Sequence, residues 1–289
     1  MKKIILLAVI VVLVLSISIF SFMGCQGQTS LTQIFSEENI WREAQFPETF
    51  TYNMYKGEDT TSIGTLTMEV VKLNTSTTYY MGQDGLSSQE AQHYYEATTA
   101  AGNATYMATT TLTLNDASYS QKSIAIFANN YKMLMTYSKI VEGEKVSAFV
   151  AYNEDGKRYY YRTNANWDDE KAIKNGKYVS SPYFDNTMVY YVARSIPNDT
   201  TYSTFAFNIF NHETNAKEKV SLYNSCDTAA TIIIGDKTYS CRKIGMTTSD
   251  VLLGRTNNIA CYVTYENIGK SKQVITRITE GDYRYDLVA

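Results

Sequence analysis

The sequence predicts a mainly β protein, a β-rich α+β fold built on a long antiparallel sheet. The chain of 289 residues contains 25 tyrosines and many threonines, and both residue types suit the pleated, half-buried surface of a sheet. Between Ile63 and Leu73, apolar and polar residues alternate with a period of two, as expected where one face is buried and the other is wet. The pair Asp155-Gly156 suits a tight type I′ turn between antiparallel strands. The predicted connections leave no room for crossover helices, which favours a meander over a parallel sheet.

The first 25 residues have the pattern of an export signal. Two lysines precede an apolar run from Ile4 to Leu15, which leads on to Gly24 and Cys25. The Gly-Cys succession resembles the bacterial lipoprotein signal, which implies that residues 1–24 are removed and that Cys25 carries a lipid. An uncleaved signal anchor is the alternative, because the apolar stretch approaches the ~20 residues that span a bilayer. Both interpretations place the folded body in the cell envelope, on the outer face of a bacterial membrane.

The mature chain is expected to contain an N-terminal tether and one domain. Residues 25–49 are interpreted as the lipidated N-terminus, a linker and a short polar helix that ends before Pro47, and residues 50–289 as a single curved-sheet domain. Residues 164–183 are polar and turn-rich, so two separate cores that divide there are the alternative organisation. The strands predicted in the first half are Phe50–Gly57, Ile63–Leu73, Ala104–Leu114, Lys122–Ala128, Tyr131–Ile140, Lys145–Tyr152 and Lys157–Arg162. The segment Glu90–Ala101 fits helix and strand equally well.

One segment of the second half has the pattern of a helix, from Asp185 to Ile196. Asp185 suits the N-cap position, Pro197 ends the element, and an apolar stripe is expected to pack on the sheet. The stripe consists of Met188, Val189, Val192 and Ile196. After the helix the predicted strands are Tyr202–Phe210, Lys217–Tyr223, Ala229–Ile234, Lys237–Met246, Asn258–Glu266, Lys272–Ile278 and Tyr283–Val288.

The order of segments in the second half points to a family. An Arg-x-x-Pro turn at residues 194–197 is followed by YSTFAFNIF, TIIIGDKTYSCRKIGM, NIACYVTYEN and KQVITRITEGDYRYDLVA, and near the start Gly64 opens the second strand of a hairpin. This arrangement is similar to a family of uncharacterised bacterial envelope proteins related to the half-barrel lipoprotein carriers and lipoprotein-localisation factors. The resemblance implies a long curved antiparallel sheet that forms a half-open barrel around at least one packed helix. It also implies an apolar concave face that could accept an acyl chain.

Six residues are candidates for lining such a concave face. They are chosen from the helix stripe and from strand alternation: Met188, Tyr191, Val192, Phe205, Phe207 and Tyr262.

Catalytic or metal chemistry has little basis in this sequence. His93 and His212 are the two histidines, and neither accompanies a serine or cysteine motif. The acidic run Asp168–Glu170 lacks the spaced ligands and central glycine of a calcium loop, so we interpret it as a solvated helix start. The sequence therefore predicts no catalytic residue, no metal ligand and no cofactor.

The charge balance limits the classes of partner that this chain is expected to bind, and the cysteines allow a disulfide. With 26 basic and 29 acidic side chains the chain is mildly acidic, so it lacks a basic footprint for nucleic acid. Cys226, Cys241 and Cys261 follow the tether in a compartment that permits disulfides. A cross-strand bridge between Cys241 and Cys261 is one interpretation, and burial of all three as small apolar residues is the other.

Two functions remain open from the sequence. The first is a non-enzymatic envelope lipoprotein that binds a lipid, another hydrophobic ligand or a lipidated partner in the curved sheet. The second is a structural or interaction lipoprotein with a filled core that presents loops to an envelope partner. In both, the membrane is a partner through the lipid anchor.

Overall fold

The structure, a computed structural model, describes residues 44–73, 106–128, 133–153, 158–163, 177–180, 184–185, 188–196, 203–211, 216–247 and 259–288. Several sequence-based predictions lie outside these residues: the signal at residues 1–24, the lipidation site Cys25, the ambiguous segment Glu90–Ala101, the acidic run Asp168–Glu170, and both histidines, His93 and His212.

The described residues form fifteen strands and one short helix. The strands are β1 (Glu48–Lys56), β2 (Gly64–Lys72), β3 (Tyr106–Leu114), β4 (Tyr119–Phe127), β5 (Met133–Glu142), β6 (Lys145–Asn153), β7 (Arg158–Thr163), β8 (Lys177–Ser180), β9 (Phe184–Asp185), β10 (Ser203–Asn211), β11 (Ala216–Ile234), β12 (Lys237–Thr247), β13 (Ile259–Thr264), β14 (Ile275–Glu280) and β15 (Tyr283–Leu287), and the helix is α1 (Val189–Ser195).

All fifteen strands belong to one sheet. Its order is β8-β7-β6-β5-β4-β3-β2-β1-β15-β14-β13-β12-β11-β10-β9, so the first and last strands are neighbours in the middle. There Tyr52 of β1 lies opposite Leu287 of β15. The pairs are antiparallel except for the two-residue contact of β9 with β10, which is parallel. The predictions of a mainly β fold and of one large antiparallel sheet are confirmed, and strands on both sides of residues 164–183 share that sheet.

The alternation that predicted β2 marks a real difference between two faces. Leu66, Met68 and Val70 are buried, whereas the residues between them are half-exposed. Gly64 begins this strand because a β-carbon there would lie 2.7 Å from the carbonyl oxygen of Thr113 on β3. A larger residue would therefore separate the two strands.

Strand β11 is longer than the sequence pattern indicates. The sequence predicts two strands, at residues 217–223 and 229–234, and the structure has one strand from Ala216 to Ile234. Its register with β12 shifts between Ser225 and Ala230, so that five positions on β11 correspond to two on β12. A bulge of this kind interrupts the period of two, which is why the pattern looked like two strands.

The helix is shorter than predicted, and its predicted start is wrong. Asp185 lies in β9, where it is paired with Phe210 of β10, and Met188 occupies the N-cap position without a side-chain capping bond. The capping preference of Asp185 is thus overridden by strand pairing at the sheet edge. The predicted end before Pro197 is confirmed. Burial extends beyond the expected stripe, because every residue from Met188 to Ile196 is at most 2% exposed.

Candidate functional site

The region around α1 brings together three of the six predicted lining residues. Met188, Tyr191 and Val192 are each at most 1% exposed. The Tyr191 hydroxyl lies 3.0 Å from the hydroxyl of Thr110 and donates to the carbonyl oxygen of Thr109 at 3.2 Å. Because a tyrosine hydroxyl carries one hydrogen, Thr110 is the donor in the first contact. These bonds attach the middle of α1 to β3.

Arg194 attaches the end of α1 to β1. Its guanidinium donates to both carboxylate oxygens of Glu48, at 2.7 and 3.2 Å, and both side chains are 2% exposed. It also donates to the carbonyl oxygens of Lys272 and Gln273, at 2.8 and 3.0 Å. The same group lies 5.1 Å from the ring centroid of Phe50. A bidentate buried pair with this many partners fixes the position of the helix on the sheet.

A second buried arginine approaches the helix from the other half of the sheet. Arg242 of β12 donates to the carbonyl oxygen of Ile196, the residue that follows the helix, and to the side chain of Gln273. The last carbonyl groups of a helix have no partner within the helix, and a cation there also suits the helix dipole. Sequence reasoning missed Glu48 and Arg242, since neither belongs to a local motif.

Tyrosine hydroxyls occupy the remainder of this core. Tyr52 donates to the carbonyl oxygen of Ile275 at 3.0 Å. Burial raises the pKa of Tyr190 and of Tyr285 well above 10, and the negative charge of Glu280 raises both further. Among the described residues the hydroxyl of Tyr285 has no hydrogen-bond partner. This side of the sheet is therefore an apolar core that contains several protonated phenols.

The other three predicted lining residues lie elsewhere. Phe205 and Phe207 occupy register positions on β10 opposite Leu222 and Val220 of β11. Tyr262 of β13 is half-buried and lies opposite Lys243 and Arg277. The register pairs its neighbour Val263 with Arg242, which contacts α1, so Tyr262 projects from the other face of the sheet. The structure does not bring Tyr262 together with the helix residues.

Cys241 and Cys261 are both buried and free. Their register explains why they do not bridge: Cys241 lies opposite Thr264, three residues from Cys261, so the two side chains leave opposite faces of the sheet. Burial raises the pKa of both thiols. Cys226 belongs to the irregular stretch of β11.

The described residues can also be compared with the requirements of a membrane-spanning helix and of a metal site. None of their helices has both the length and the apolar content that crossing a bilayer requires. Across the same ranges, no three histidine, cysteine or carboxylate side chains come together in a way that could hold a metal ion.

Comparison with known proteins gives a structural likeness and no match to a family model or a curated protein. No model of a protein family matches this chain. No curated protein matches it either. Among solved structures, the chain is similar to a β-barrel-like protein of a domain of unknown function, DUF1849, from Brucella abortus. The two share 10% sequence identity with a TM-score of 0.42, over 84% of this chain and 95% of that chain.

Proposed function

We propose that this chain is a non-enzymatic, membrane-tethered protein of the bacterial cell envelope that acts as an interaction module with a filled core. The observation that carries this proposal is the complete burial of residues 188–196 on the helix side of the sheet. A hydrophobic ligand would have to displace α1, and displacement would break the bidentate contact of Arg194 with Glu48. In such a protein, the loops and the outer face of the sheet are the surfaces that can bind a partner.

The proposal includes the curvature of the sheet into a half-open barrel around α1. Thr110 of β3 and Arg242 of β12 both contact the helix or the residue after it. Five strands separate β3 from β12, so in a flat sheet they would lie about 29 Å apart at roughly 4.8 Å per strand. A helix of seven residues is only about 10 Å long. Contacts from both strands to so short an element support a strongly bent sheet.

The tether rests on the Gly24-Cys25 signal and can be tested directly. We expect the mature protein to fractionate with membranes and to begin at a diacylated Cys25, as measured by mass spectrometry of its N-terminal peptide. Cys25→Ser should abolish the lipid mass and leave the signal unprocessed. Cys226→Ser is the matched control and should be processed normally. An intact Met1 in the membrane fraction of the unmodified protein would reject the lipoprotein interpretation in favour of an anchor.

A second candidate is a carrier that holds a lipid or another hydrophobic ligand between helix and sheet. It is favoured by the Tyr285 hydroxyl, a buried polar atom without a partner in the described part of the chain, which a ligand head group could satisfy. Met188, Tyr191, Val192, Phe205 and Phe207 remain the proposed lining residues of this candidate, whereas Tyr262 is left out because it projects from the other face of the sheet.

Lipid extraction and native mass spectrometry of the purified protein distinguish the two candidates. Arg194→Met loosens the helix, whereas Arg277→Met changes an arginine on the outer face and serves as the matched control. A filled interaction module should carry no non-covalently bound lipid in any of the three proteins, apart from the covalent lipid expected on Cys25. A carrier should co-purify with lipid, and Arg194→Met should change its occupancy while Arg277→Met does not.

A further inference from the structure

A polar cleft is formed by residues of β12, β13 and the connection that follows β13. It has a volume of about 390 Å³ and occupies the end of the β11–β12 hairpin together with the connection that follows β13. This volume falls within the range of about 300–1,000 Å³ that is usual for small-molecule pockets. The cleft is lined by Lys237, Thr238, Tyr239, Ser240, Thr264, Glu266, Asn267, Ile268 and Gly269.

The backbone around the cleft is fixed by hydrogen bonds. The amide of Tyr265 donates to the carbonyl oxygen of Ser240 at 3.1 Å, which continues the pairing of β12 and β13 into the cleft wall. Ile268 and Ser271 exchange two backbone hydrogen bonds of 3.0 Å and close the turn. The hydroxyl of Thr264 accepts from the amide of Val274 at 3.1 Å. A site with walls held in this way needs little ordering when a ligand binds.

The chemistry of the lining is polar and balanced in charge. Lys237 and Glu266 contribute one charge of each sign, and the other polar groups are hydroxyls and the amide of Asn267. The side chains of Lys237, Glu266 and Asn267 are exposed and form no hydrogen bond or ion pair within the described residues. They are free to bind a ligand that both donates and accepts. The balance of charge gives no preference for a strongly anionic or cationic ligand.

Aromatic rings complete the surface. Tyr239 is half-buried in the cleft, and Tyr262 lies on the same face because Thr264, two residues along β13, lines the cleft. Tyr262 is opposite Lys243, four residues along β12 from Tyr239, which corresponds to about 14 Å along the strand. Aromatic rings offer an apolar face, whereas the cleft between strand and turn offers hydrogen-bonding groups. A sugar ring presents the same combination, with C–H groups on its faces and hydroxyls at its edge.

We propose that this cleft binds a neutral saccharide, with Glu266 and Asn267 on ring hydroxyls, Tyr239 against one sugar face and Tyr262 in reach of a longer glycan. The inference goes beyond the proposed function and does not depend on the lipid tether. A free sugar and a cell-wall glycan share this chemistry, so the test includes a probe for each.

The test uses the full chain purified in a detergent without a sugar head group. Binding of cellobiose and of N,N′-diacetylchitobiose is measured by saturation-transfer NMR and calorimetry, and binding to purified peptidoglycan sacculi by co-sedimentation. We expect at least one probe to bind. Asn267→Ala and Tyr239→Ala should weaken binding at least tenfold, and Tyr262→Ala should weaken only binding to the sacculi. Glu266→Gln should weaken binding, whereas Glu144→Gln, at an exposed turn between β5 and β6, should not.

The outcomes are separable. Binding of a disaccharide alone supports the site and indicates a free sugar as the source, whereas sedimentation with sacculi supports the site and indicates a wall glycan. Absence of binding to all three probes would overturn the inference. Binding that survives the cleft substitutions would also overturn it, because the saccharide would then lie elsewhere. The lipid mass on Cys25 is measured separately, so failure of one proposal leaves the other distinguishable.

Discussion

Two arginine–carboxylate clusters lie on opposite faces of the central strands, and they differ in how far they are exposed to solvent. On the helix side, Arg194 and Glu48 are each 2% exposed. On the outer face, Asp286 accepts from Arg277 at 3.1 Å and from Arg284 at 3.0 Å, and these arginine side chains are 24% and 19% exposed. Both clusters join arginine to a carboxylate, but the helix-side pair has lost nearly all contact with water, whereas the outer arginines are still partly exposed.

The comparison teaches that burial, and not the number of contacts, sets what an ion pair does for this fold. Removing water from two charges is expensive, so a buried pair adds little net stability but makes the loss of one partner severe. Arg194 also donates to the carbonyl oxygens of Lys272 and Gln273. Its function is thus to fix α1 in one position. The outer cluster is partly exposed, so its contribution is smaller and more sensitive to salt.

The largest expected effect is on the helix side. Arg194→Met should lower the free energy of unfolding by about 3–5 kcal/mol, because the buried carboxylate of Glu48 loses the guanidinium that pairs with both of its oxygens. Urea unfolding followed by circular dichroism measures the change.

A double substitution tests the cause. Arg194→Met combined with Glu48→Leu should recover much of the lost stability, because the buried carboxylate that lost its guanidinium is removed as well. If the two losses simply added, the ion pair would not be the reason for either.

The same arginine shows where sequence reasoning stops. The sequence marks Arg194 as part of an Arg-x-x-Pro turn, but its partner Glu48 lies 146 residues away, in a stretch whose pattern indicates a linker. Local alternation predicted β2 well, since a period of two is a property of neighbouring residues. Register across the sheet, such as β15 beside β1, depends on which distant surfaces fit, so no local pattern indicates it. The cleft cannot be seen in the sequence for the same reason, because the start of β12 and the connection after β13 come together only in the fold.

The second prediction concerns high pH. Burial raises the pKa of Tyr52, Tyr190, Tyr191 and Tyr285 above 10. In the unfolded chain a tyrosine ionises near pH 10, so above that pH the unfolded state releases protons that the folded state keeps. Stability should be constant with respect to these groups below pH 10. It should fall above that pH by about 1.4 kcal/mol per pH unit for each such tyrosine.

Urea unfolding at several pH values from about 9 to about 11 measures this slope, because that range lies on both sides of the normal tyrosine pKa. Tyr285→Phe should reduce the slope by the share of one tyrosine. A slope that does not steepen above pH 10 would mean that these phenols ionise freely in the folded protein.

A third prediction compares two phenols within the helix-side core. Tyr52→Phe removes a donor from the carbonyl oxygen of Ile275 and should cost about 1 kcal/mol of unfolding free energy. Tyr285→Phe removes a hydroxyl without a partner among the described residues, and should be neutral or stabilising because the folded state no longer buries it unpaired. Thermal unfolding of the two variants, side by side, gives the sign of each. Equal losses would indicate that the hydroxyl of Tyr285 stabilises the folded state as much as the hydroxyl of Tyr52 does.

The smallest expected effect is on the outer face, where Arg277→Ala should lower the free energy of unfolding by no more than about 1 kcal/mol. Asp286 keeps its bond to Arg284, and that arginine is held by the carbonyl oxygens of Gly57 and Asp59 and lies 4.8 Å from the ring centroid of Tyr55. Removal of Arg277 therefore leaves no isolated charge, in contrast to removal of Arg194. Raising the salt concentration from 0.1 M to 1 M shortens the screening length from about 10 to about 3 Å, so the difference between Arg277→Ala and the unmodified protein should shrink. The Arg194→Met difference should persist at high salt, since ions do not reach a pair that is 2% exposed. Urea unfolding at both salt concentrations measures the four differences, and an outer-face loss as large and as salt-independent as the inner one would end the distinction between the two clusters.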